Sequence, residues 1–206
     1  MANTFAPNGF VPVRRLDGAA WIGSQTAYKI ASDVAHDFYA GDPVIRLNTG
    51  YIDVNASYPT QGVLGIFVGC EYLASNGQTV WSNHFTHGSN ASGAIVTAYV
   101  IDDPNVVMRV QVGASGPVAG GPVTFAQTGD NIAYAYGSPS TLSGISGAYA
   151  DYGTILDTNT LPFTVLGQVT SPPGVNGTDI TTAGNWIEVS FNQQAFRVGT
   201  TGSAAS

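Results

Sequence analysis

His84 and His87, in the run Asn83-His84-Phe85-Thr86-His87-Gly88, have the His-x-x-His spacing that could bring two imidazoles onto one metal ion. A tetrahedral site needs two further ligands, and neither Cys nor Glu lies nearby. On a strand, positions i and i+3 face opposite ways, so the pair could share an ion only on a loop or a helix. Polar loop side chains are the default for such residues, and no metal is expected. Asp102-Asp103 offers two carboxylates, but not at the spacing of a calcium loop. Beside Pro104-Asn105 they are what a tight turn demands. His36-Asp37 is a pair adjacent in sequence, not a dyad across space. Cys70 sits in the apolar run Gly65-Ile66-Phe67-Val68-Gly69-Cys70, with no basic neighbour or helix start to lower its thiol pKa. It reads as a small buried hydrophobe, and as the single cysteine it has no intrachain partner. The two glutamates, Glu71 and Glu188, lie in strand-like stretches with no obvious pairing. Two carboxylates brought together by a fold can cleave a sugar, which sequence alone does not decide. No Gly-x-Ser-x-Gly elbow and no phosphate-cradling Gly-Lys-Ser/Thr loop is present. The expectation is no catalytic residue, no metal, no cofactor and no enzyme. Asn55, Asn90 and Asn176 head Asn-x-Ser/Thr triplets and read as loop residues rather than glycan acceptors.

The elements around these residues are strands. Thr26 to Ala31 alternates with period two, and Val44 to Leu47 turns at Asn48-Thr49-Gly50 into Tyr51 to Val54. Asp33 to Ala40 reads as a helical turn or a loop. Val63 to Tyr72 reads as a buried strand whose Gly65 and Gly69 mark a bulge or a close backbone approach. Ser75-Asn76-Gly77 turns it into Thr79-Val80-Trp81. Ala94 to Val100 and Val106 to Val112, on either side of Asp102-Asp103-Pro104-Asn105, read as the clearest hairpin. A weaker strand pair lies in Val123 to Gly137, and Ser138 to Gly147 is an irregular excursion. Further strands are expected at Ala148 to Thr154, Phe163 to Val169 and Trp186 to Phe191. Tyr58 to Gln61 reads as a loop and Ser171 to Gly177 as a long turn. Gly113 to Gly121 reads as a loop, or as a hinge between two lobes. Residues 1–20 read as an extended arm, broken by Pro7, Gly9, Pro12 and Gly18 yet carrying Phe5, Phe10, Val11 and the doublet Arg14-Arg15, which either folds back on its own domain or docks on a neighbouring subunit. Residues 21–198 form the body and 199–206 a flexible tail.

Charged residues make up only 9% of the chain, with a single Lys (Lys29), against 26 Gly, 11 Pro and 10 Tyr. Helical surfaces draw on Lys, Glu and Arg, so this composition points to an all-β protein whose polar faces are Ser, Thr, Asn and Gln. A net charge of −7 argues against nucleic acid and against an anionic membrane as partners. No secretion signal is visible at Met1-Ala2-Asn3-Thr4-Phe5, and no apolar run approaches the roughly 18 residues of a membrane span. The expectation is a protein made in a cytoplasm and soluble until something recruits it. Low surface charge and abundant Tyr favour contacts between copies.

Several stretches together resemble tailed-bacteriophage capsid decoration, or cement, proteins. They are Asn8-Gly9-Phe10-Val11-Pro12-Val13-Arg14, Tyr28-Lys29-Ile30-Ala31-Ser32, Tyr39-Ala40-Gly41-Asp42-Pro43-Val44, Gly65 to Tyr72, and Val100-Ile101-Asp102-Asp103-Pro104-Asn105. The resemblance covers residues 1–112, more loosely the region from Leu166, and hardly residues 113–160. It implies a β-barrel or β-tulip-like body on the outside of an icosahedral virion, made in the host cytoplasm. It implies that the protein bridges neighbouring major capsid protein subunits, as a homotrimer, and strengthens the shell. In that role the arm, through Phe5, Phe10, Val11, Arg14 and Arg15, would dock on a capsid subunit as an added strand with apolar anchors. The alternative from another class is a glycan-binding module of a phage head or tail fibre, with Trp21, Trp81, Trp186 and the tyrosines as stacking platforms.

Overall fold

The structure is a computed structural model that describes residues 3–54, 62–114, 120–171 and 179–196. The expected tail at 199–206, the loop at 58–61, most of the turn at 171–177, Asn55 and Asn176 lie outside the described residues. So do residues 115–119 of the expected hinge. The strands are β1 (Val11–Arg15), β2 (Thr26–Ile30), β3 (Phe38–Tyr39), β4 (Pro43–Arg46), β5 (Ile52–Asp53), β6 (Gly65–Leu73) and β7 (Thr79–Ser82). They continue with β8 (His84–Phe85), β9 (Val96–Ile101), β10 (Val106–Gly113), β11 (Asn131–Tyr136), β12 (Ala148–Leu156), β13 (Phe163–Gln168) and β14 (Trp186–Phe191). One 3-10 turn, Phe125–Gln127, is the only helical element among the described residues. The protein is all-β.

The strands form a closed barrel and a second, nearly closed, barrel-like sheet, the second barrel below. In the first, β10, β12, β11, β13 and β14 follow one another, and β14 returns to pair with β10, closing five strands. β1 adds antiparallel to β10. Its core is Phe10, Tyr134, Phe163 and Phe191 with Val106, Met108, Val110 and Val112 of β10. In the second, β2-β9-β6-β4-β5 forms a nearly closed sheet, with β7 paired to β6. Ile30, Val44, Leu64, Phe67, Cys70, Val96 and Val100 fill it, and Phe38 and Phe85 of the small β3–β8 pair complete it. Gly69 lies at the expected irregularity, where the register of β6 against β9 shifts.

The expected hairpin at 102–105 is corrected. β9 pairs with β2 and β6, while β10 pairs with β1, β12 and β14, so Asp102 to Asn105 carries the chain from one barrel to the other. The side chains explain the crossing. Asp102 accepts from Thr26 Oγ1 (2.9 Å) and Tyr28 Oη (2.7 Å) of β2, and Asp103 accepts from the Asn105 amide (2.9 Å). Moreover the outer face of β10 is largely covered: Val107 and Gln111 are as buried as the residues that line the barrel, and only Arg109 between them is partly exposed. A strand buried on both sides needs cover on both. Only part of Val123 to Gly137 is strand, β11, and the Phe125–Gln127 turn replaces the expected partner.

The N-terminal segment supplies that cover. The Gln111 side-chain amide donates to the carbonyls of Thr4 (2.7 Å) and Gly184 (2.8 Å), and its oxygen accepts from the Ala6 amide (2.9 Å). Asn3 Nδ2 donates to the Asp179 carbonyl (2.8 Å). Residues 3–15 are thus packed on the chain's own body, one of the two fates that the sequence leaves open for this segment. A Pro- and Gly-broken segment cannot make a core, but it can complete one.

The barrels meet along a seam built from two of the stretches that carry the resemblance. Gly9 (φ +77°) and Gly41 (φ +100°) lie backbone to backbone, and a Cβ on Gly9 would stand 2.8 Å from the Gly41 Cα. The Phe10 amide donates to the Gly41 carbonyl (3.0 Å), and Gly9 donates to Ala148 (3.2 Å). Ser146 Oγ, on the approach to β12, donates to the buried Asp42 carboxylate at the start of β4 (2.5 Å). Tyr136 Oη of β11 donates to the Pro43 carbonyl (2.6 Å).

Candidate interaction surface

Of the five arm residues, Phe10 is 1% exposed in the first barrel, stacked on Phe163 with ring centroids 4.5 Å apart. It is already used as core and is not available as an anchor for another subunit. Arg14 and Arg15 also have partners within the chain: Arg14 Nη2 pairs with Glu188 (2.7 Å) and Arg15 Nη1 with Asp103 (3.0 Å). Glu188 follows from the register of β14 against β10, where it stands opposite Arg109, whose partner on β1 is Val11. Phe5 packs edge-on against Tyr149 at 5.4 Å and keeps half of its surface exposed, and Val11 is exposed. The segment therefore leaves Phe5 and Val11 outward and turns the other three inward or sideways.

The titratable groups separate rather than converge. His87 donates its backbone N–H to Asp37 Oδ1 (2.8 Å), with Nδ1 2.9 Å from the same oxygen, while His36 Nδ1 lies 3.0 Å from Asp53. Desolvation acts to raise the Asp37 pKa, but the hydrogen bonds from His87 outweigh it and hold the carboxyl below its usual range. His84 Nδ1 is 3.1 Å from Ser82 Oγ, and its ring stacks parallel to Tyr39. No group of three metal-ligating side chains forms among the described residues. Cys70 is buried, its thiol pushed up to about 12 by that burial, and it donates to the His84 carbonyl (3.4 Å). Asn90 is buried and donates to the carbonyls of Ser32 and Ala94, a local structural duty. Asp42 is raised to about 6 by burial, against the lowering effect of the Ser146 and Tyr39 hydrogen bonds.

What stands out on the surface is apolar. Ile22 (88% exposed), Phe125 (82%) and Leu142 (97%) project from three different connections, and Trp81 (66%) from β7. Trp21 packs against the first barrel, and Trp186 is partly buried in β14, so of the three tryptophans Trp81 is the one presented to solvent. Trp81 lies in a row that strand register builds across the outer face of the second barrel. Trp81 is opposite Glu71, Glu71 opposite Thr97, and Thr97 opposite Lys29. Cross-strand partners share a face, so all four side chains stand on the outside. Two residues further along β9, Tyr99 stands opposite Gly69, and its ring lies nearly parallel to that of Trp81 at 5.6 Å and 13°. Gly69 has no side chain to hold the two rings apart. Tyr99 Oη reaches Glu71 Oε2 at 3.4 Å, and Lys29 Nζ donates to Thr97 Oγ1 (2.7 Å). Desolvation, and after it the Glu71 carboxylate, raises the Tyr99 phenol pKa. The alternation of β2 marks Lys29 as outward, but its neighbours in the row follow only from the pairing of four strands.

No family model, no curated protein and no solved structure matches the chain.

Proposed function

We propose that this chain is a structural virion protein that binds the outside of a tailed-phage capsid, bridges neighbouring major capsid subunits and associates with itself as a trimer. The observation that carries the proposal is the set of large apolar side chains left exposed on a folded body: Ile22, Phe125 and Leu142 on separate connections, and Phe5 and Val11 on the N-terminal segment. If neighbouring subunits cover these side chains, burying each contributes roughly 1.5–3 kcal/mol. On a symmetric lattice the same contacts recur at every copy, so weak individual contacts add up to firm attachment. The low charge fits the same use, since fully desolvated contact cores are depleted of charged residues. The resemblance carried by the N-terminal stretches supports a phage capsid as that lattice.

The test uses undecorated shells and the full chain. Co-sedimentation should recover many copies per particle, and decorated shells should withstand heating that opens bare ones. Leu142→Asp and Phe125→Asp should weaken attachment while the free protein melts unchanged. Failure to sediment with any shell, or attachment indifferent to all the exposed apolar positions, would refute the proposal.

A further inference from the structure

We infer that the outer face of the second barrel holds a binding site for a neutral sugar, centred on Trp81 and Tyr99. The inference is independent of attachment to a shell, because it rests on different residues and on different chemistry.

A pyranose ring presents a face of C–H bonds and a rim of hydroxyls. The C–H face packs on an aromatic plane, and each hydroxyl both donates and accepts a hydrogen bond. The Trp81 row offers both halves of that match. The exposed Trp81 ring, backed by the Tyr99 ring stacked on it, offers the apolar shelf. Beside it Glu71 supplies acceptor oxygens, Thr97 and Tyr99 supply hydroxyls, and Lys29 supplies donor protons. With strands spaced about 4.8 Å apart, the four positions run for about 14 Å, room for more than one ring in a chain.

The charges decide the ligand class. The row contains the only lysine of the chain and one of its two glutamates, and no ion pair joins them among the described residues. An anionic ligand meets the Glu71 carboxylate, and a cationic one meets the Lys29 ammonium. A neutral polyhydroxylated ligand is opposed by neither and hydrogen-bonds to both. The platform is also rigid. Trp81, Glu71, Thr97 and Tyr99 stand on paired strands whose inner faces are locked by buried Cys70, Ala98 and Val100. Little ordering entropy therefore opposes binding.

The test is a panel of neutral and anionic oligosaccharides, printed as an array and then titrated into the free full chain with tryptophan fluorescence as readout. At least one neutral oligosaccharide should bind, at micromolar to millimolar concentration, and shift the emission. Trp81→Ala should weaken that binding at least about tenfold. Glu71→Gln and Lys29→Met should each weaken it less, and all three variants should keep the parent's melting temperature. Four results overturn the inference: no neutral oligosaccharide bound at millimolar concentration; binding unchanged in Trp81→Ala; binding confined to anionic sugars and abolished by salt; or loss of shell attachment or self-association in Trp81→Ala with no sugar bound. The last would make the face a protein interface and leave the capsid proposal standing.

Discussion

Replacing Phe10 by Ala separates a segment that belongs to its own core from one that reaches for a neighbour. The ring is fully buried, stacked on Phe163 at 4.5 Å and edge-on to Tyr134 at 6.4 Å. Truncating it removes its transfer free energy and leaves a cavity among strands already held in register, so collapse is limited. Core Phe-to-Ala changes of this kind cost about 3–5 kcal/mol. For a chain of this length each kcal/mol lowers the melting temperature by about 2–4 °C, so a fall of about 6–20 °C is expected. Differential scanning calorimetry of the free protein measures it, with Phe5→Ala as the control. Phe5 is half exposed and rests only edge-on against Tyr149, and its loss should cost far less. If Phe10→Ala melts like the parent but loses its hold on capsids, the ring is not a core residue, and the packing described for residues 3–15 is wrong.

Two further outcomes concern the seam. Burial raises the Asp42 carboxyl from its ordinary 3.8 to about 6, so between these values the folded protein holds a proton that the unfolded chain has released. Stability should therefore fall as pH rises from about 4 to 6 and level off above, by roughly 3 kcal/mol from this group. Urea unfolding of the parent and of Asp42→Asn across that window checks it, and equal slopes would refute the assignment. Gly9→Ala should destabilise by about 1–3 kcal/mol, since the methyl meets the Gly41 backbone at 2.8 Å and φ is +77°. A melting temperature equal to the parent's would show that the two barrels do not approach as closely there.

The amino-acid sequence by itself determined the strand class and most of the strand positions. Period-two alternation, as in Thr26–Ile30, and the turns at 48–50 and 75–77 are local signals, written within a few residues of where they act. It also marked Gly69 as a backbone irregularity and Cys70 as a buried hydrophobe. Which strands pair was decided only by the tertiary structure. β9 and β10 flank a sequence made for a tight turn, yet they belong to different sheets: β10 is buried on its inner face and largely covered on its outer one, and Asp102 is held by β2. The same holds for the N-terminal segment: its Pro and Gly residues limit regular structure to the short β1, and the buried Gln111 and the stacking of Phe10 on Phe163 decide between an arm and a cover. The Trp81 row follows the same logic. Lys29, Glu71, Trp81 and Thr97 are scattered along the chain, and nothing local relates them; register between non-neighbouring strands places them on one face. Side-chain alternation says which way a residue points, whereas its neighbours are set by pairings whose free energy is gained only when the whole sheet forms.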